Sequence, residues 1–200
     1  MARPKNKEEA ILAAAIKIFM EKGFAQSSIQ VIADEAGIAK GTIYEYFKTK
    51  EELFIQAVKL HTSKLNDLID NIVLSENTLI GKLGDLLDLF LGASSEEYFK
   101  WMDFIFINEL AQLSNESRMV FHIWLHNMRD KSTGKIAEML DQAVREGEIR
   151  AIDIESVASS IINLIMGTNM QMRDNQYSAE QIEKEKVKIL DFIMRGIGNR

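Results

Sequence analysis

Cysteine is absent from the 200-residue chain, and proline occurs once, at position 4. Without cysteine there is no disulfide framework and no thiolate metal site, which fits a reducing, cytoplasmic setting. With no internal proline, nothing forces a break in a helical hydrogen-bond ladder, so the chain reads as mostly helix. Long alternating β-branched runs are missing too, which argues against sheet. The longest apolar runs, such as Ile161-Ile162 and Leu164-Ile165-Met166, fall far short of the ~20 residues that a membrane helix needs. The opening segment, MARPKNKEEAIL, has no continuous apolar stretch, so neither a signal peptide nor a membrane partner is expected. Chemistry-bearing sets are equally sparse. No Ser/His/Asp order, phosphate-cradling loop or spaced carboxylate pair occurs, so neither an enzyme nor a cofactor is expected. His122 and His126 stand four apart on one helix, a spacing that can hold a metal. No nearby Glu or His completes a set, and no metal site is expected.

What the chain does have is apolar content and an uneven charge. Apolar residues make up 46% of it, a globular rather than a disordered composition. At this length folding buries about 70% of the unfolded chain's surface, enough for a sizeable core. Net charge is −6, yet residues 1–50 hold 8 Lys/Arg against 6 Asp/Glu, while residues 51–200 hold 16 against 24. An acidic chain whose first quarter is mildly basic is compatible with DNA binding confined to that quarter.

Helix signals divide the chain clearly. The first helix starts near Lys7 and carries Ile11, Leu12, Ala15, Ile18 and Phe19 at helical spacing. Gly23 fits a left-handed C′ stop, with Phe24 packing back after it. Ser27-Ser28-Ile29-Gln30 reads as a capping box with Ser27 as N-cap. The second helix then runs to about Glu35 or Ala36, with Ile29, Ile32, Ala33 and Ala36 inward, and Gly37 makes a tight turn. A third, short helix spans roughly Lys40 to Lys48, and Lys50 opens a fourth. Downstream, Thr78–Leu91, a segment opened by Ser94-Ser95-Glu96-Glu97 and ending near Leu113, Asn115–Glu146 with Gly134 as a candidate break, Ile154–Arg173 capped by Asp153, and a last helix from the Ser178–Gln181 capping box to about Ile197 complete the series.

Two short helices around a glycine turn form a helix-turn-helix arrangement. On the third helix Ile43 and Phe47 share one face, which must be the core face. Gly41, Thr42 and Glu45 point away from it, Tyr44 and Tyr46 flank the apolar stripe, and Lys40, Lys48 and Lys50 lie around its ends. Such a helix fits the ~12 Å major groove, where rim cations and phenols reach phosphates. Short helix pairs of this kind also occur in helical proteins that touch no DNA.

The stretch IQVIADEAGIAKGTIYEYFKTKEELF, residues 29–54, closely resembles the DNA-binding domain of the TetR (tetracycline repressor) family of transcriptional regulators. The matching residues are Ile32-Ala33, Ala36-Gly37-Ile38, Gly41-Thr42, Tyr44 with Phe47, and Lys48 through Leu53. Upstream Phe19, Gly23 and Phe24 fit as well, so the match covers about residues 7–54. The resemblance implies that Ser28 bonds a phosphate and that Lys40, Thr42 and Tyr44 contact DNA. It also implies that Gly41 allows close backbone approach and that Tyr46 and Lys50 touch flanking phosphates. Ile32, Ala33, Gly37, Ile43 and Phe47 are then structural. One position departs from the pattern: Ala39 stands where the family usually has a capping Ser or Thr, which costs about 1 kcal/mol and leaves the start of the helix open. Glu45 occupies a variable, groove-facing position, where it either accepts from cytosine N4 or stays a solvated charge that keeps phosphates away.

The resemblance also implies an all-α fold with two parts. Residues 1–50 form an N-terminal three-helix helix-turn-helix domain (helix-turn-helix about 28–47), and residues 51–200 form a C-terminal helical ligand-binding and dimerisation domain. In the family the last two helices pair with their copies in a second subunit. Here the stripes Val157, Ile161, Leu164, Ile165 and Thr168, and Ile182, Ile189, Leu190, Ile193, Met194 and Ile197, are compatible with that pairing, and equally with packing inside one chain. Methionines and aromatics crowd the middle segments and can line an adaptable pocket. Trp101, Phe104, Met119, Trp124, Asn163, Met166 and Met170 are the candidate ligand residues. The expected function is a homodimeric repressor on double-stranded DNA with a pseudo-palindromic operator, released by a small apolar or amphipathic inducer, with residues 50–72 as the lever. A helical small-molecule-binding protein without DNA function and a family member acting as an activator are the alternatives.

Overall fold

The computed structural model describes residues 6–92 and 109–199. The elements are α1 (Lys7–Gln26), α2 (Ile29–Ala36), α3 (Lys40–Tyr46), α4 (Lys50–Val73), α5 (Leu79–Leu91), a 3-10 turn (Leu110–Gln112), α6 (Asn115–Arg145), α7 (Ile154–Asp174) and α8 (Ala179–Ile197). Among the described residues the single piece of β pairing is an isolated antiparallel bridge, Ile149 to Gly198. No helix among them is long and apolar enough to cross a membrane. The segment opened by Ser94, with Trp101 and Phe104, lies outside the described residues.

The chain divides into two compact units. The first is Met1–Leu65 with Lys100–Leu125, and the second is Asn66–Phe99 with His126–Arg200. In the first unit the apolar stripe of α1, Ile11, Leu12, Ala15, Ile18 and Phe19, is buried, as are Ile29, Ile32 and Ala33 of α2. Phe19, Phe24 and Phe54 close this core as an aromatic triad. Phe19 and Phe54 meet edge to face with centroids 5.1 Å apart, and Phe24 and Phe54 at 5.3 Å. Such pairs add roughly 0.5–1.5 kcal/mol to the burial of their area.

Most helix boundaries follow their local signals. Thr78, Asp153 and Ser178 each accept from a backbone N–H of the first turn they cap, and Ser178 with Gln181 forms a full capping box. Gly37 ends α2 in the left-handed region, φ 67° and ψ 33°. Four boundaries differ from the sequence reading. Gly23 has a positive φ of 77° but a ψ of 167°, which breaks α1 without being a left-handed cap. The N-cap of α2 is Ser28, which accepts from the Val31 N–H, and not Ser27. Ser27 is instead buried, with its hydroxyl donating to the Gly23 carbonyl at 2.5 Å, and Gln30 donates to Asp34 instead of reaching back. Helix α3 stops at Tyr46, because Phe47 turns to extended φ and ψ as it goes inward. Gly134 does not break α6. A glycine inside a helix costs about 1 kcal/mol, and the buried Ile136, Met139, Leu140 and Ala143 of the following turns outweigh that cost.

The second unit buries Leu83, Leu86 and Leu87 of α5, Ala158, Ile161 and Ile165 of α7, and Ile189, Ile193 and Ile197 of α8. Polar ties fix its corners. The Asn169 amide donates to the Phe90 carbonyl at 2.7 Å, and Glu148 accepts the Leu79 N–H at 3.0 Å. Lys186 pairs with Asp88. Of the two stripes that were compatible with a partner subunit, Ile161, Ile165, Ile189, Ile193 and Ile197 are buried within the chain, while Val157, Leu164, Thr168, Ile182, Leu190 and Met194 are half-buried.

At the start of α6, Glu51 of α4 accepts the Ser114 N–H at 3.0 Å, the Ser114 hydroxyl at 2.6 Å and the Ser117 hydroxyl. The Ser114 and Ser117 hydroxyls hold the Glu51 carboxyl below the usual carboxylate range. A carboxyl with a depressed folded pKa stabilises the fold above its unfolded pKa, and that contribution is lost as pH falls through the folded value. Glu51→Gln is therefore expected to lower Tm at neutral pH, with the difference from wild type vanishing in acid. Thermal unfolding followed by circular dichroism across pH 2–7 checks this. A constant difference at all pH values contradicts it.

Candidate nucleic-acid interface

The surface that the sequence singled out is built on α3, a helix of seven residues. A helix this short is not stable by itself in water. Its N-cap, Ala39, makes no side-chain hydrogen bond, so packing must hold it. Ile43 is fully buried and Phe47 is 3% exposed, and both lie on the side facing the first unit's interior. The opposite side is open. Lys40, Gly41, Glu45 and Lys48 are exposed, Thr42 is half-buried, and Tyr44 and Tyr46 are 48% and 42% exposed. Exposed tyrosines of this kind present an apolar ring with a hydroxyl at its tip, suited to a partner with both sugar and phosphate faces. Among the described residues, the ammonium groups of Lys40 and Lys48 and the carboxylate of Glu45 have no hydrogen-bond or ion-pair partner. The cations are therefore free for an outside anion. Lys48 is one of the rim cations that the sequence placed at the ends of this helix.

Gly41 is exposed, has no positive φ, and a Cβ placed on it would meet nothing within 4 Å. Nothing inside the chain requires glycine at this position, although glycine destabilises a helix relative to alanine. The chain's own packing thus leaves the absence of a side chain unexplained, and a close approach from outside supplies a reason. Ser28 is exposed at the N-terminus of α2, where its hydroxyl accepts from the Val31 N–H at 3.2 Å and its O–H remains able to donate.

Lys50 is placed differently from the other candidates. Its ammonium donates to the carbonyls of Phe24 at 2.7 Å and Ser27 at 3.0 Å, and sits 4.2 Å from the centroid of the Phe24 ring. Burial lowers its pKa, partly opposed by the nearby Glu109 and Glu51. Two of its three donors are thus committed to the α1–α2 corner, so the geometry gives Lys50 a structural role there and leaves one donor for any other acceptor. Glu109, which no sequence signal marked, completes the corner: it is buried and accepts the Phe24 N–H at 2.8 Å.

Of the candidate ligand residues, Trp101 and Phe104 lie outside the described residues. Met119 is exposed and Trp124 is half-buried, with its ring 5.3 Å from that of Phe121. Met166 and Met170 lie one turn apart on an exposed face of α7, and Asn163 accepts from Arg129 at 2.6 Å. A cleft edged by Lys82, Met139, Gln142 and Glu148 has about 20 Å³ of free space, room for one water and no inducer. His122 and His126 are both exposed, and no group of three His, Cys, Asp or Glu side chains among the described residues could hold a metal.

Known proteins share both the sequence and the shape. Residues 11–57 match the family described as bacterial regulatory proteins, tetR family. An uncharacterized HTH-type transcriptional regulator of Bacillus subtilis, YerO, is 28% identical over 194 residues, which is 96% of this chain and 66% of that relative. A tetR-family transcriptional regulator from Mesorhizobium loti has the same fold, with a TM-score of 0.80, 22% identity and full coverage of both chains. The FadR regulator of Bacillus subtilis, solved in complex with stearoyl-CoA, superposes with a TM-score of 0.62 at 24% identity, covering 92% of this chain and 96% of that one. Residues 11–57 thus carry the sequence of the tetR family's DNA-binding domain, and the helical fold along the whole chain is that of a solved tetR-family regulator.

Proposed function

We propose that the protein is a cytoplasmic, homodimeric, sequence-specific transcription repressor that leaves its operator when an amphipathic small molecule binds. The observation that carries the DNA half is α3, held by Ile43 and Phe47 from beneath and open on the other side with unpartnered Lys40 and Lys48. In this reading Ser28, Lys40, Tyr44 and Tyr46 contact phosphates and sugars, and Thr42 and Gly41 face the groove. Residues 1–50 form the reading domain and residues 51–200 the ligand and dimer domain.

Dimerisation is supported by apolar surface on the last two helices. Phe192 is 71% exposed, and Val187, Met166 and Met170 are exposed with it. Large side chains of this kind mark a contact surface more often than a solvent face. A two-fold pair places two reading helices about 34–36 Å apart, one helical turn of DNA. A long-chain acyl-CoA is the first ligand class to test, since the related FadR was solved with stearoyl-CoA. Ligand binding then shifts the dimer toward a conformer with altered head spacing. In that shift α4, a single helix with residues in both units, is the link.

Three outcomes test this reading. Gly41→Ala is expected to raise stability by about 0.5–1 kcal/mol in denaturant titration while weakening operator binding at least tenfold in fluorescence anisotropy. Unchanged DNA affinity removes Gly41 from the interface. Phe192→Glu is expected to convert the dimer to monomer in sedimentation velocity and to abolish binding to a two-half-site duplex. A dimer that survives this substitution refutes the assigned face. Stearoyl-CoA titrated into the protein–operator complex is expected to lower DNA affinity about 5- to 150-fold, the range of typical coupling energies. No change rejects this ligand class.

A further inference from the structure

Position on α3 separates the residues that can touch the sides of a groove from those that can reach its floor. At about 100° per residue, Tyr44 and Lys40 lie on one flank of the buried Ile43, and Thr42 and Tyr46 on the other. Gly41 and Glu45 both fall about 160° from Ile43, four residues apart on the ridge opposite the core. A helix anchored through Ile43 therefore enters a groove with Gly41 and Glu45 foremost. Gly41 contributes no side chain there, and no neighbouring atom would crowd one. Glu45 is exposed and has no hydrogen-bond or ion-pair partner among the described residues. Its carboxylate is thus the one long side chain at the leading edge of the helix.

We infer that Glu45 is the specificity-determining residue of the reading helix and that it selects cytosine. This rests on the DNA-binding reading given above. An ionised carboxylate only accepts hydrogen bonds. Of the groups on the major-groove floor, it is attracted only to the exocyclic amines, N4 of cytosine and N6 of adenine. Adenine sets its N7 acceptor beside that amine, which repels a second acceptor, whereas cytosine carries only C–H beside N4. Guanine O6 and N7 and thymine O4 are acceptors and disfavour Glu45 outright. Both phosphate rows repel it as well, so the carboxylate is favourable in the complex only over an amine.

The test is selection of duplexes from a random-sequence pool by the purified full-length protein, followed by competition binding with single base-pair changes. The wild type is expected to enrich one fixed cytosine per half-site, and replacing that pair by T·A weakens binding about tenfold or more. Glu45→Ala is expected to lose discrimination at that position alone, with equal or tighter binding elsewhere because a charge facing phosphates is gone. Glu45→Gln is expected to move the preference toward adenine, whose N6 and N7 suit an amide. Matched thermal unfolding curves check that the variants keep the fold. An Ala variant that retains the wild-type preference at every position overturns the inference and leaves DNA binding intact. A wild type that enriches no sequence overturns the DNA-binding reading and this inference with it.

Discussion

The reading surface exists because two side chains, Ile43 and Phe47, are drawn out of water beneath it. Helix α3 has seven residues and no capping side chain. The missing cap costs about 1 kcal/mol, and the turn-by-turn cost of nucleating so short a helix adds to it. Burying an isoleucine and a phenylalanine returns roughly 1.5–3 kcal/mol each. The burial wins by a modest margin, which has two consequences. The helix holds its orientation only through its underside, so its outward residues are free of structural duty and can be given wholly to recognition. It also ends where the anchor ends: Phe47 adopts extended backbone angles because its ring is required inside, and Lys48 just after it is left exposed.

A second constraint comes from the break in α1. With Gly23 at φ 77° and ψ 167°, the helical ladder stops inside a packed region, and the polar groups of the following backbone need partners. Glu109 takes the Phe24 N–H, while Lys50 serves the Phe24 and Ser27 carbonyls and lies against the Phe24 ring. One buried carboxylate and one half-buried ammonium thus close the corner that sets the direction from α1 into α2. Glu51, beside Lys50, grips the first turn of α6 through Ser114 and Ser117. Adjacent residues at the start of α4 therefore tie together the corner leading into α2 and the first turn of α6.

How much of this was legible in the sequence depends on the range of the interactions. Caps at Thr78, Asp153 and Ser178, the left-handed Gly37 and the buried face of α1 are set by neighbours within a turn or two, and a single sequence displays them. Ser27 and Ser28 were interchanged because both suit a cap locally. The choice is made by Ser27's burial against Gly23, which depends on how α1 breaks. Lys50 and Glu109 were out of reach for the same reason on a larger scale, since their partners lie 26 and 85 residues away. The apolar stripes of α7 and α8 were visible as stripes. Periodicity does not say whether a stripe meets its own chain or another, and Ile161, Ile165 and Ile189 meet their own.

Charge completes the argument, because a chain of net charge −6 has to approach a polyanion. Exposed charges interact weakly beyond a Debye length of about 8 Å at physiological salt, so the sum over the chain matters less than the few groups on α3. Those are Lys40 and Lys48 near the ends and Glu45 on the leading ridge, none of them neutralised by a partner among the described residues. In the proposed complex the two cations toward the rims attract phosphates of either strand whatever the sequence, a contribution that weakens with added salt. The single anion does the opposite, opposing every approach except one that sets an amine in front of it. Affinity and discrimination are thereby assigned to different side chains of one short helix, and the acidic remainder of the protein limits how firmly it holds DNA that offers no such amine.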